Sequence, residues 1–428
     1  MIHVAFAFNL GLYRTFMEAG REQVYIDEGY VPLLRAFRKH PRIKANLFLE
    51  GLTSLALKDS PECAQLVRAG LADGQFELGT YTFNHPVLTL LPYEDSYRQW
   101  EAGHRVDEQL WGVAPTGAMM PEAAWDPTSA EALSHLGIEW VLLGTRVYFQ
   151  DFPDHPHHYA RRAFSLLGTG GSRVKAVCHD CDDLEEDDPV FYVCSAVVHG
   201  AEESVRAFRA RLDYHLSRGG EGMLMAVKED GEFVYEEALA KKYGRGWTRL
   251  GFASRLGEHI PELSARAEEE LDAALCGYEE TEGIEFVTVS EYFQRCQPAQ
   301  EIMLRASAKG YREWMEGSEK LGQMLWEAQT EIRIARAAMQ VGRALGADTA
   351  EAEGELDRAW EALLAAETST GRRACAHPAG KASRIVWAME YAMEATRRAR
   401  GAVALIRRGE PRGRDDEGRF RDDARPTV

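Results

Sequence analysis

Gly117-Ala118-Met119-Met120-Pro121-Glu122-Ala123-Ala124-Trp125-Asp126-Pro127 is the stretch from which the fold is read. Gly117–Met120 is short, apolar and extended in character. Beyond the acid-bearing loop, Thr128–Leu136 has helical spacing and Glu139–Leu143 is again a short apolar run. Strand, loop, helix, strand is the unit of a parallel sheet with crossover helices. Upstream the same alternation gives strands at Val4–Phe8, Lys44–Leu49 and Gly74–Leu78, with helices at Tyr30–Phe37, Cys63–Leu71 and Tyr93–Leu110. Downstream it gives a helix at Glu202–Ser217 and strands at Gly222–Val227 and Ile284–Val289. These elements predict an α/β fold, a seven-stranded (β/α) barrel, closed or nearly so. An open doubly wound sheet is the alternative. No G-x-G-x-x-G follows the first strand, which weakens the dinucleotide-binding form of that alternative.

After Glu301 the pattern turns purely helical. Leu321, Met324, Leu325, Ala328, Ile332, Ala335 and Met339 repeat at three-four spacing, as do Leu356, Ala359, Trp360, Leu363 and Leu364, and Ile385, Ala388, Met389, Ala392 and Met393. The expected layout is a barrel domain over 1–296 with an irregular insertion around 150–190, a C-terminal helical bundle over 297–408, and a disordered tail over 409–428. That tail holds many charges and one aromatic ring.

With 68 acidic against 50 basic residues the net charge is −18, which argues against nucleic acid or an anionic membrane as partner. No apolar run reaches the ~18 residues of a membrane span. Met1-Ile2-His3-Val4-Ala5 lacks the basic start of a secretory signal. Seven scattered cysteines fit reduced thiols, and the expected location is cytoplasmic. A homo-oligomer stays open.

Barrel active sites gather at the C-terminal ends of the strands. Glu122 follows Gly117–Met120, Asp230 follows Met223–Val227 within Lys228-Glu229-Asp230-Gly231-Glu232-Phe233, and Glu77 stands in Gln75-Phe76-Glu77-Leu78-Gly79. Two carboxylates converging from different strands suit glycoside hydrolysis. One attacks the anomeric carbon. The other protonates the leaving oxygen and then takes a proton from water or an acceptor sugar.

The words around these acids resemble glycoside hydrolase family 57, an α-glucan-acting family with a seven-stranded barrel. Gly74–Leu78 followed by Asn84-His85-Pro86-Val87-Leu88 and Leu91-Pro92 is similar to its second motif. Pro121–Pro127 resembles its nucleophile motif, and Leu136–Leu142 the strand that follows. Glu229-Asp230-Gly231-Glu232-Phe233 resembles its acid/base motif, and Thr288-Val289-Ser290-Glu291-Tyr292 its last barrel motif. Tyr311–Trp314, Trp326–Ala328 and Leu363–Ser369 resemble its helical region. The resemblance implies a retaining glycosidase or transglycosidase on α-linked glucan or oligosaccharide, with Glu122 as nucleophile and Asp230 as general acid/base. Glu77, His85, Trp125 and Glu232 are implied substrate contacts, and no metal or organic cofactor is needed.

The chain also departs from the family. Its first motif ends in a His-Gln-Pro-type segment. Here Ala5–Arg14 has neither histidine nor proline, which leaves Asn9, Tyr13 or Arg14 to take that place. Ser369-Thr370-Gly371-Arg372-Arg373 replaces an aromatic-rich Ser-Asp-Trp stretch. A relative that binds a glycan or a protein without turnover is therefore the rival reading. A metal-dependent deacetylase on a related barrel is a second, with His85, His179 and His199 its candidate ligands. For His85 and Trp125 a structural role weighs evenly against sugar contact. Cys178-His179-Asp180-Cys181 and the His155, His157 and His158 cluster match no metal-ligand spacing and read as an ordinary loop. Core packing is expected for most of Trp314, Trp326, Trp360 and Trp387.

Overall fold

The computed structural model describes residues 1–12, 17–179, 193–243, 255–307, 314–376 and 380–409. The expectations placed on Tyr13, Arg14, Asp180–Asp188, Cys181, Tyr311–Glu313 and residues 410–428 lie outside the described residues. Two compact units are present. The first is Met1–Glu319 with Glu367–Ala388, and the second is Lys320–Ala366 with the chain from Met389.

The first unit is built on one curled, mostly parallel sheet. Its strands are β1 (Ile2–Leu10), β2 (Ala45–Leu49), β3 (Phe76–Thr80), β4 (Gly117–Met119), β5 (Trp140–Gly144), β6 (Phe164–Leu167), β7 (Arg173–His179), β8 (Leu224–Asp230), β9 (Ile284–Phe286) and β10 (Glu301–Ile302). They lie in the order β10-β6-β7-β5-β4-β3-β2-β1-β8, and β9 also pairs with β1. From β7 through to β8 every neighbouring pair is parallel. Parallel strands need crossovers. The helices Val31–Lys39, Pro61–Ala72, Tyr93–Trp111, Ser129–His135 and Ala201–Ser217 supply them. Strands β2 and β5 are buried throughout, and β1 nearly so, which is why they read as continuous apolar runs.

Among the described residues ten strands are present, where seven were expected. The 150–190 stretch, expected to be irregular, contains the antiparallel pair β6–β7, joined across Gly168–Ser172. The strand expected at Ile284–Val289 is present as β9, shortened to Ile284–Phe286, whereas β10 is two residues long, too short for periodicity to reveal. Thr288, read as part of a strand, instead caps the helix Val289–Arg295 in a reciprocal capping box with Glu291.

The second unit contains the helix Glu319–Ala344, the helix Ala350–Ala366 and the C-terminal part of the helix Ala382–Gly409. Leu321, Leu325, Ala328, Ile332, Ala335 and Met339 are buried as the three-four spacing implies, and so are Leu356, Ala359, Trp360 and Leu363. Trp314 of the first unit is also buried. Trp326 is 65% exposed, an exception to the core packing expected for most of these tryptophans. Its position in the helix falls on a different face from the buried stripe. No described helix is long and apolar enough to cross a membrane.

Candidate active site

Because β8, β1, β2, β3 and β4 are parallel neighbours, their C-terminal ends share one edge of the sheet. Asn9, Glu50, Tyr81, Glu122 and Asp230 all stand at or just beyond those ends.

Asp230 is the last residue of β8 and pairs in register with Asn9 of β1. The Asn9 amide Nδ2 donates to Asp230 Oδ1 at 3.3 Å. Lys228 and Asp230 are two apart and share a strand face. The Lys228 ammonium lies 2.6 Å from the same oxygen. Glu229 points to the other face. There its carboxylate is fully buried and accepts from the backbone N–H groups of Val193 and, at 2.8 Å, Cys194. Burial pushes the Glu229 carboxyl up to about 7 against those hydrogen bonds. Glu232, expected to touch substrate, is buried, and its charge acts on the Cys194 thiol.

Glu122 sits in a strained loop after β4, with φ +56° and Ala123 following at φ +50°. The other described non-glycine residues with positive φ are Thr82 (+68°) and His85 (+48°), in the loop after β3. Residues other than glycine avoid this region, and those that adopt it cluster at functional sites. Contacts from far along the chain hold both loops. Ser369 N donates to the His85 carbonyl at 3.0 Å, and Pro86 bridges to Thr368. Ser307 Oγ donates to the Ala123 carbonyl at 3.2 Å.

Ser369 Oγ donates to Glu122 Oε1 at 2.9 Å, and His85 Nε2 lies 3.6 Å from the same oxygen. The other ring nitrogen of His85, Nδ1, is 2.9 Å from Glu50 Oε1. Burial pulls the His85 imidazole down. The hydrogen bond to Glu50 and the charges of Glu122, Glu50 and Asp230 outweigh it, so His85 titrates above its ordinary value. Burial raises the Tyr81 hydroxyl well above its ordinary value. The Lys228 charge opposes this, while those of Asp230, Glu122 and Glu50 add to it. Two side chains that each respond to both Glu122 and Asp230 place these acids in one electrostatic neighbourhood.

Two expected contacts fall elsewhere. Glu77 is the second residue of β3, about 10 Å of strand before its C-terminal end. Its carboxylate accepts from Asn46 Nδ2 at 2.7 Å, Thr116 Oγ1 at 3.1 Å, and both the backbone N–H and hydroxyl of Ser290. It clamps the N-terminal edge of the sheet beside a cavity of about 520 Å³. Trp125 is fully buried in a core with Leu88, Trp100 and Met120, so it offers no ring face to a sugar. Tyr13 lies outside the described residues.

Sequence reasoning missed Glu50, Tyr81, Lys228 and Ser369. Glu50 directly follows a fully buried five-residue strand, the kind of strand end that singled out Asp230. Ser369 lies 247 residues from its partner and gives no local signal. Among the described residues no three His, Cys, Asp or Glu side chains are grouped to hold a metal. Cys178 is buried at the end of β7. His155 Nδ1 pairs with the Tyr148 hydroxyl at 2.9 Å, and its ring stacks on Phe152.

Residues 3–164 match the sequence profile of Glycosyl hydrolase family 57. Alpha-amylase 1 of Dictyoglomus thermophilum is 28% identical over 129 residues, 30% of this chain and 19% of that protein. The 4-alpha-glucanotransferase of Thermococcus litoralis is 28% identical over 123 residues, 28% of this chain and 18% of that protein. The chain thus spans at most about a fifth of the length of the curated relatives it matches. Among solved structures, a GH57 branching enzyme from Thermococcus kodakaraensis superposes with a TM-score of 0.64 at 15% identity, covering 98% of this chain and 92% of that one. An alpha-amylase from Thermotoga maritima gives 0.61 at 12%, covering 95% and 93%. These two likenesses concern the fold. By the profile match and the curated relatives, the N-terminal part of the chain is similar to glycosyl hydrolase family 57, though without the usual first-motif histidine, and the fold of the whole is the one its solved members share.

Proposed function

We propose that the protein is a retaining glycosidase or transglycosidase acting on α-linked glucans. The relatives named amylase and glucanotransferase supply the substrate class. In the first step a Glu122 carboxylate oxygen bonds to the anomeric carbon. The glycosidic C–O bond breaks, and the leaving oxygen takes its proton from Asp230. In the second step Asp230 removes a proton from water or an acceptor hydroxyl, whose oxygen displaces Glu122. Ser369 and His85 orient the nucleophile, and Asn9 orients the acid.

What supports this reading is that Glu122 and Asp230 stand at strand ends on one edge of the sheet, with His85 Nε2 3.6 Å from Glu122 and Asn9 Nδ2 3.3 Å from Asp230. One observation favours the rival, a glycan-binding protein without turnover. The Lys228 ammonium is 2.6 Å from Asp230, and an ion pair that close favours the unprotonated carboxylate. Maltooligosaccharide turnover separates the two. The wild type should release product whose first-formed anomer keeps the substrate's configuration. E122Q should lose at least about a thousandfold in kcat while still binding the oligosaccharide in calorimetry. Wild-type rate in E122Q, or binding without turnover in the native protein, rejects the enzyme reading.

A further inference from the structure

Glu50 is 2% exposed and locked from several sides. Its Oε2 accepts from Thr53 Oγ1 at 3.1 Å, and Thr53 Oγ1 in turn accepts from Leu12 N at 3.2 Å. A Cβ on Gly11 would come within 2.7 Å of Glu50 Oε1 and would have to displace the carboxylate. The groups facing His85 come from every neighbouring strand end. They are Glu50 after β2, Tyr81 after β3 with its ring 4.6 Å away, Glu122 after β4 and Asp230 on β8. Both contacts to Glu122 go to Oε1. Among the described residues Oε2 carries no hydrogen bond.

We propose that Glu50 and His85 act as a positioning pair for Glu122: the buried Glu50 carboxylate holds His85 as a cation, and that cation, together with Ser369, fixes Oε1 so that Oε2 is the attacking atom. This rests on the nucleophile reading of Glu122 and adds to it a buried carboxylate that never meets the sugar. A salt bridge between two groups already fixed by the fold costs little further entropy, and an imidazolium needs a partner on its far nitrogen to stay charged in a half-buried site. His85 keeps its charge below its raised titration point and loses it as pH climbs through that point.

The test combines NMR titration of histidines labelled at Cε1 with steady-state kinetics. In E50Q the His85 resonance, assigned by its loss in H85Q, should titrate at least about one pH unit lower than in the native protein. The kcat should fall roughly ten- to hundredfold with KM within about twofold. E50D, which keeps the charge, should recover part of both. E50Q/H85Q should be no slower than H85Q alone, because the two act as a unit. An unmoved His85 titration in E50Q, or losses that add in the double variant, overturns the pair. If E122Q retains turnover, the nucleophile reading falls by itself, and the His85 titration still reports whether Glu50 charges the ring.

Discussion

Gly103, on the helix Tyr93–Trp111, is the position where a single methyl group should separate stability from activity. A Cβ there would meet the Thr82 carbonyl carbon and oxygen at 2.5 Å and Phe83 N at 2.9 Å. These are backbone atoms, so no side chain can swing aside. Relief of about 0.9 Å is needed to reach ordinary contact, and the loop after β3 must move to give it. That loop is tied to the site. The Thr82 carbonyl accepts from Gly51 N and the Phe83 carbonyl from Leu52 N, each at 3.0 Å, immediately after Glu50. Alanine gains about 1 kcal/mol of helix propensity over glycine, while overpacking costs about 1–3 kcal/mol. The net loss of stability is therefore about 0–2 kcal/mol. Activity should suffer more, because a shift of ~1 Å at a catalytic constellation costs up to roughly a hundredfold. G103A should thus show a small drop in urea midpoint by circular dichroism and a large drop in kcat on maltooligosaccharide. A variant as active as the native protein would show that the loop register carries no catalytic weight.

Two further changes test the roles assigned to buried acids. The Glu229 carboxyl titrates near 7 when folded and near 4.5 when unfolded, so between those values the folded state holds more protons and stability falls as pH rises. The loss accumulates to about 3 kcal/mol by pH 8, and E229Q should flatten the decline in urea midpoint between pH 5 and 8. An unchanged slope would place the proton elsewhere. E77Q sets an amide N–H₂ against the donors of Asn46, Thr116 and Ser290, and should destabilise by about 1–3 kcal/mol with kcat/KM unchanged. Lost activity at full stability would return Glu77 to the substrate.

The sheet was legible wherever strands are buried on both faces. Val4–Phe8 and Ala45–Leu49 read as strands because no residue there faces water, whereas β6 and β7 hide beside Gly168, Gly170 and Gly171 and the exposed Arg173. Small errors in register decided the site. Reading the third strand as Gly74–Leu78 puts Glu77 near its C-terminal end. The observed Phe76–Thr80 puts Glu77 at its start, and that two-residue slip moves the carboxylate to the far edge of the sheet. The same reading overlooked Tyr81, which then follows the strand directly. Glu122 and Asp230 were placed at the C-terminal edge as read, because proline ends one strand and a Gly231 turn ends the other. Trp125 was ambiguous in principle. Adjacency to an acid cannot tell whether a ring faces a cleft or the core, and long-range packing against Trp100 and Leu88 decides it. Ser369 and Glu50 act through contacts that only the folded chain creates.

Lys228 is the residue on which the acid/base role proposed for Asp230 turns. It cannot easily face away, because the strand's period of two puts it on the face that carries Asp230. A general acid must hold a proton, and each tenfold shift towards the carboxylate removes tenfold of the acid form at fixed pH. An ammonium 2.6 Å away therefore works against protonation of a poor leaving group and leaves departure of a good one untouched. K228M should accordingly raise the rate on maltooligosaccharides relative to the rate on a 4-nitrophenyl maltooligoside at pH 7, by about tenfold if the pair is worth one unit of proton affinity. A sugar that displaces the ammonium on binding would leave the ratio unchanged. Equal loss on both substrates would mean that Lys228 grips the sugar itself. Either outcome refutes suppression of the acid by Lys228, and only a rise confined to the poor leaving group supports it.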